Sequence, residues 1–201
     1  MLDLKVNPYY LLDEDCKWVE ETIKGMTDEE KVGRLFFQLT SSHEEEHLKE
    51  LMEKYHLGGC RYNPAPVCDI AYNWQNTEVI GRAFGSNPDR VATMSAAYLK
   101  GAHTIPGFAC AAKHFPGNGQ DFRDAHISNN VNYFDVDEWD ATYGKLYKEM
   151  IDNDLDAIMG GHILMPKYAK VLNPDLQDDD MMPATLSYEI MTTLLRDKLG
   201  V

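Results

Sequence analysis

The stretch Cys110-Ala111-Ala112-Lys113-His114-Phe115-Pro116-Gly117-Asn118-Gly119 sets the reading of the whole chain. Its first half is a run of small and apolar residues, bounded by turn residues, which suits a strand buried on both faces. Its second half, with Pro116, Gly117 and Gly119, cannot continue as strand or helix and opens a loop that runs to about Asn132. In a parallel α/β protein the ends of strands and the loops beyond them face the ligand. Lys113 and His114 therefore stand where chemistry would be done.

Working outward, helices alternate with short buried strands. Thr27 and Glu30 make a capping box, followed by Val32, Leu35, Phe36 and Leu39 at helical spacing. A charged helical run, His43 to Tyr55, breaks at Gly58-Gly59. After Pro64-Ala65-Pro66, residues 67–70 read as a strand. Asn87-Pro88 opens a helix that stops at Gly101. A further helix starts near Asp137 with Trp139, Tyr143, Leu146, Tyr147, Met150 and Ile151 as its apolar stripe. Residues 155–160 read as another strand, ending in Gly160-Gly161-His162. The last helix runs from about Ser187 to a cap at Gly200. The pattern predicts an α/β fold in which residues 67–70, 110–115 and 155–160 belong to one parallel sheet. Two places break the alternation. Gly59 to Ile70 joins two strand-like segments without the crossover that parallel neighbours need, and the chain stops just after a helix.

The 201 residues suffice for one domain with a sizeable core. A formal net charge of −14, from 19 basic and 33 acidic residues, argues against nucleic acid and against anionic membrane surfaces as partners. Cys16, Cys60, Cys68 and Cys110 form no C-x-x-C pair and read as reduced core thiols of a cytoplasmic protein. The N-terminus has no basic segment followed by an apolar run, and no apolar stretch approaches the ~20 residues of a membrane span. No cofactor is implied.

The residues with the clearest chemistry are Asp124 and His126. Two positions apart, the carboxylate can orient the imidazole and stabilise its charged form, and histidine titrates near neutrality. Such a pair could give and take a proton. Two other readings compete: a hydrogen-bonded histidine of a polar loop, and a metal site built from His114, Asp124 and His126.

Lys113 to Gly119 resembles the K-H-F-P-G-x-G signature of family 3 glycoside hydrolases, and Asp124-x-His126 resembles the D-x-H of their β-N-acetylhexosaminidase branch. Ala65-Pro66-Val67-Cys68-Asp69, Ile80 to Gly85, Ala157 to Ile163, Pro183 to Ser187 and Met26 to Gly33 resemble further family segments in the same order. The resemblance implies a (β/α)8 barrel, incomplete over 1–201, that removes terminal β-linked N-acetylhexosamine with retention from a small-molecule or oligosaccharide substrate. It makes His126 the general acid/base, oriented by Asp124. Arg82, Lys113 and His114 bind sugar hydroxyls, and His162 and Asp69 line or support the pocket. A phosphorylase of the same branch, or a non-catalytic sugar-binding remnant, are the alternatives.

Three departures accompany the resemblance. The family's acidic double-glycine segment, expected between Tyr62 and Pro66, is absent, which suggests an internal deletion. The strand carrying the nucleophilic aspartate should follow Gly200, and the sequence ends at Val201. Asn118 stands where close relatives have His or Asp. The chain as written is therefore expected to show no turnover. It is also expected to be marginally stable, with Trp139, Tyr143, Tyr147, Leu194, Leu195 and Leu199 short of packing partners.

Overall fold

The structure is a computed structural model that describes residues 3–6, 10–39, 45–57, 59–61, 65–105 and 108–201. Two compact units divide the chain, Met1–Asn63 and Pro64–Val201.

In the first unit, helix α1 (Asp13–Gly25) places Asp13, Glu14 and Asp15 in its first turn and Lys24 in its last, charges that complement the helix dipole. Sequence reading missed it, and none of its residues is buried. Helix α2 (Asp28–Gly33) starts as expected. Thr27 Oγ1 accepts from Glu30 N–H at 3.2 Å, and Glu30 Oε2 accepts from Thr27 N–H at 2.7 Å. It ends earlier than expected. Gly33 abuts the end of helix α3 (Glu45–Tyr55) so closely that a Cβ there would lie 2.3 Å from the Tyr55 carbonyl oxygen. Leu39 belongs instead to strand β1 (Phe37–Leu39), which pairs in parallel with β2 (Gly59–Arg61) in the register Phe37↔Gly59. With α3 between them these strands make a βαβ unit. Ser41, Ser42, His43, Gly58, Tyr62, Asn63 and Pro64 lie outside the described residues.

The second unit is built on strand β3 (Ala111–Phe115). It pairs in parallel with β5 (Ala157–Gly160), Ala111 opposite Ala157. On its other side runs the 65–70 segment, also parallel. Cys68 N–H donates to Lys113 O at 2.6 Å, Lys113 N–H to Pro66 O at 3.1 Å and Ala111 N–H to Ala65 O at 2.9 Å. The three expected strands are thus neighbours in one parallel arrangement, although 67–70 makes only one bridge and no regular ladder. The two strand-like segments between Gly59 and Ile70 pair with different partners, β1 and β3. A shorter parallel pair joins β4 (Asn130–Val131) to β6 (Ile163–Leu164).

Helix α4 (Pro88–Ala102) opens with the Asn87 side chain accepting from Arg90 N–H and with Pro88 in its first turn. It packs on α6 (Lys145–Asp152), which continues α5 (Val136–Trp139) through a π-helical turn, Asp140–Gly144. Helix α7 (Pro166–Leu172) precedes a final π-helix, α8 (Glu189–Lys198), beyond which Gly200 takes φ +84°.

The core of this unit corrects one expectation. Trp139, Tyr143, Tyr147, Leu194, Leu195 and Leu199 are all buried, the aromatic three completely. Phe115 meets Trp139 and Tyr147 edge-on at centroid distances of 6.0 and 5.1 Å, and Trp139 meets Tyr168 at 5.3 Å. Each such pair contributes about 0.5–1.5 kcal/mol beyond area burial. Cys68 and Cys110 are buried thiols as expected, and burial pushes the Cys68 thiol up to about 12, which makes it unreactive. Cys16 is only partly covered and is not a core thiol. Among the described residues no helix is long and apolar enough to cross a membrane.

Candidate active site

Sequence-predicted residues gather beyond the C-terminal end of β3 in two Asp–His pairs. The first is buried. Asp69, at the end of the 65–70 segment, is fully enclosed. Its Oδ2 lies 2.6 Å from His114 Nδ1, and its Oδ1 accepts from His114 N–H at 3.1 Å and from Asn118 N–H at 2.9 Å. A buried carboxylate needs this many donors to offset its lost hydration.

The loop that leaves β3 is shaped to deliver those donors. The Lys113–His114 and Phe115–Pro116 peptides are cis, as is Ala65–Pro66 on the neighbouring segment. Gly117 (φ +120°) and Gly119 (φ +124°) take backbone conformations that L side chains rarely adopt. A Cβ at Gly117 would stand 2.5 Å from the Tyr143 ring, and one at Gly119 1.9 Å from the Ile70 carbonyl oxygen. Trp139 Nε1–H holds the Pro116 carbonyl at 2.7 Å, and the Tyr143 hydroxyl donates to the Asn118 carbonyl at 2.5 Å.

The second pair is open. The His126 side chain is 75% exposed; its Nδ1 lies 2.8 Å from Asp124 Oδ1, which also accepts from His126 N–H at 2.9 Å. The hydrogen bonds from the His126 N–H and ring, with the Arg82 charge nearby, hold the Asp124 carboxyl below its ordinary value. It is ionised across the neutral range. Nε2, the other ring nitrogen, makes no hydrogen bond among the described residues and belongs to an exposed side chain.

A residue that sequence reading missed completes this cluster. Glu78 is buried, with Oε1 3.0 Å from His126 Nδ1 and 4.0 Å from an Arg82 guanidinium nitrogen. Its Oε2 accepts from Ala125 N–H at 2.8 Å and from Asn118 Nδ2 at 3.2 Å. The one local signal was the Glu78/Arg82 spacing of four, which by itself suggests only a helical ion pair. Asn118 joins the two pairs. Its backbone N–H serves Asp69, its side-chain amide serves Glu78, and its Oδ1 accepts from Asn76 and Asn130 at 3.0 and 3.1 Å.

The other expected residues are placed as follows. Lys113 is buried on β3. Arg82 Nε donates to the Glu78 carbonyl. His162 lies just past β5, exposed, with Nδ1 2.9 Å from Thr185 Oγ1. The preceding Gly161 is packed so close to His114 that a Cβ there would lie 3.1 Å from the His114 Cβ. Further along the loop, burial works to raise the Asp121 carboxyl, but hydrogen bonds from Arg123 and Val131 N–H outweigh it and hold it low. As for metals, Glu78, Asp124 and His126 present ligand atoms within 4.8 Å of one another, and so do His103, Cys110 and Asp156 near the opposite ends of β3 and β5. His114 joins neither group; it is tied to Asp69.

The glycosyl hydrolase family 3 N-terminal domain aligns with residues 49–201. This chain belongs to glycosyl hydrolase family 3. A β-N-acetylglucosaminidase/β-glucosidase of Cellulomonas fimi is 28% identical in an alignment 276 positions long, which takes in all of this chain and 49% of the relative. A β-hexosaminidase of Stenotrophomonas maltophilia (strain K279a) is 30% identical over 78% of this chain and 42% of its own length. The chain thus spans about half the length of the curated relatives it matches. Among solved structures, a β-glucoside phosphorylase superposes with a TM-score of 0.78 at 24% identity, covering 98% of this chain and 49% of that one, and so shares its fold.

Proposed function

We propose that this chain forms part of a (β/α)8 barrel that removes terminal β-linked N-acetylhexosamine from oligosaccharides or glycoconjugates with retention of configuration. The observation that carries the proposal is the Asp124–His126 pair: an exposed imidazole held at 2.8 Å by an ionised aspartate. Most retaining glycosidases use a carboxylic acid to protonate the leaving oxygen; here the histidine takes that part and then deprotonates the incoming water. Arg82, Lys113 and His114 contact sugar hydroxyls, and Asp69 and His162 support the pocket floor, Asp69 by orienting His114. The names of the relatives support the N-acetylated substrate. No residue of this chain is assigned as nucleophile.

The domain reading is that 1–201 corresponds to part of the family's catalytic domain, with a stretch missing near 62–66. The alignment with the Cellulomonas fimi relative supports it: 276 positions take in 201 residues of this chain, so at least 75 positions face no residue here.

Phosphorolysis is the second reading, favoured by one feature. A neutral imidazole in the acid/base position carries no charge to repel phosphate, as a carboxylate would. Assay of the natural-length protein with an aryl N-acetyl-β-glucosaminide, with and without phosphate, decides. Release of N-acetylglucosamine independent of phosphate supports the proposal. A sugar 1-phosphate product establishes phosphorolysis, and no turnover of any N-acetylated glycoside rejects the branch.

A further inference from the structure

We propose that Glu78 is a positioning residue for His126: a second, buried carboxylate that keeps the proton on Nδ1 and leaves Nε2 as the nitrogen that exchanges a proton with a ligand. The proposal rests on the reading of His126 as the acid/base and adds a residue to it.

The argument starts from inventory. A neutral imidazole has one N–H and one lone pair, and the hydrogen bond at one nitrogen decides the state of the other. Ionised carboxylates only accept. His126 Nδ1 faces two of them, Asp124 Oδ1 at 2.8 Å and Glu78 Oε1 at 3.0 Å. An unprotonated Nδ1 would point its lone pair at two anions, so the proton stays there and Nε2 carries the lone pair.

The two carboxylates are not equivalent. Asp124 is part of the exposed loop and only two residues from the histidine, so it moves with it. The Glu78 side chain is only 6% exposed and is fixed from a distant part of the chain. Its Oε2 is held by Ala125 N–H and Asn118 Nδ2, its own N–H donates to Asn76 Oδ1 at 3.1 Å, and Asn76 Nδ2 in turn donates to Asn118 Oδ1 at 3.0 Å. Oε1 is what remains, and it faces His126 and, at 4.0 Å, Arg82. Through Ala125 N–H, Glu78 also grips the residue between Asp124 and His126. Asp124 therefore supplies the nearer acceptor, and Glu78 anchors the D-x-H turn to the buried frame that carries Asp69 and His114.

The test is 15N NMR of the imidazole in the 201-residue chain, with His126→Asn used to assign the signal. In the unaltered chain, above the titration of the ring, His126 is expected as the Nδ1–H tautomer, with a strongly hydrogen-bonded Nδ1 proton. Glu78→Gln keeps the shape of the side chain and removes its charge. It is expected to cut the Nδ1–H population, while the His114 signal stays unchanged. Glu78→Asp, which keeps the charge one methylene short, is expected to restore part of it and is read the same way should the glutamine variant not fold. An unchanged His126 tautomer and Nδ1 proton in a folded variant overturns the proposal. So does an unaltered chain in which Nε2 carries the proton. Either result leaves the glycosidase reading untouched, because that is decided by turnover, and absent turnover would leave the tautomer result standing.

Discussion

Asp69–His114 and Asp124–His126 are the same chemical pair in two settings. In both, one aspartate binds the Nδ1 and the backbone N–H of one histidine. The side chains of the first are 0% and 18% exposed, those of the second 31% and 75%. Burial turns the first into a structural joint: its carboxylate has three donors and no route to solvent, and it locks the strand end to the loop. In the proposed function, exposure makes the second a tool, with an ionised anchor behind and an open ring nitrogen in front. A motif alone does not tell the two apart; what covers it does.

The comparison can be broken from the side of the loop that carries both pairs. Gly119→Ala is expected to have the largest effect, because its Cβ would lie 1.9 Å from the Ile70 carbonyl at a φ that alanine avoids. Loss of about 3 kcal/mol or more, or of cooperative folding of residues 64–201, is expected in chemical denaturation. An unchanged midpoint would mean that the loop does not hold this shape.

Asp69→Asn comes next. It removes a buried acceptor of three hydrogen bonds and turns a donor toward the backbone N–H groups, which is expected to cost about 3 kcal/mol. The same change at Asp124, on the surface, is expected to cost far less in the same assay. Equal losses would erase the distinction between joint and tool. Tyr143→Phe should fall between them, at about 1–2 kcal/mol, since the hydroxyl bonds the Asn118 carbonyl and Ile70 N–H inside the core.

Acid sharpens the contrast further, with a smaller effect. Asp121 and Asp124 both have folded-state values below the ordinary 3.8. Depressed carboxyls contribute stability that is present above about pH 4 and disappears as pH falls through the lower folded values. The slope of stability against pH below about 4 is therefore expected to flatten in Asp121→Asn, and to flatten less in the exposed Asp124→Asn. A steeper slope in either variant would contradict the sign.

What could be read from sequence was local. The 110–119 stretch announced its strand and loop because apolar run and breakers are adjacent, and D-x-H announced itself because its members are two residues apart. The Asp69–His114 bond crosses 45 residues and Glu78–Ala125 crosses 47, so neither leaves a pattern in either segment. Asp69 was placed at a strand end without its partner, and Glu78 was not seen at all. The α2 reading overran for a related reason. Leu35, Phe36 and Leu39 fit helical spacing, but the close contact of Gly33 with the end of α3 is tertiary. The aromatic stripe Trp139, Tyr143 and Tyr147 was legible as buried; that its own unit covers it completely was not, because the covering residues, Phe115 and Tyr168 among them, come from both flanks of the sequence.

The central claim is that the open pair, not the buried one, moves the proton. The direct test is His126→Ala in the natural-length protein, with turnover measured on an N-acetyl-β-glucosaminide with a poor leaving group and on one with an activated aryl leaving group. The account predicts a loss of ~10²–10⁴-fold on the first and a much smaller loss on the second, because only the first needs protonation of the departing oxygen. Equal losses on both substrates would contradict it and make His126 a structural residue.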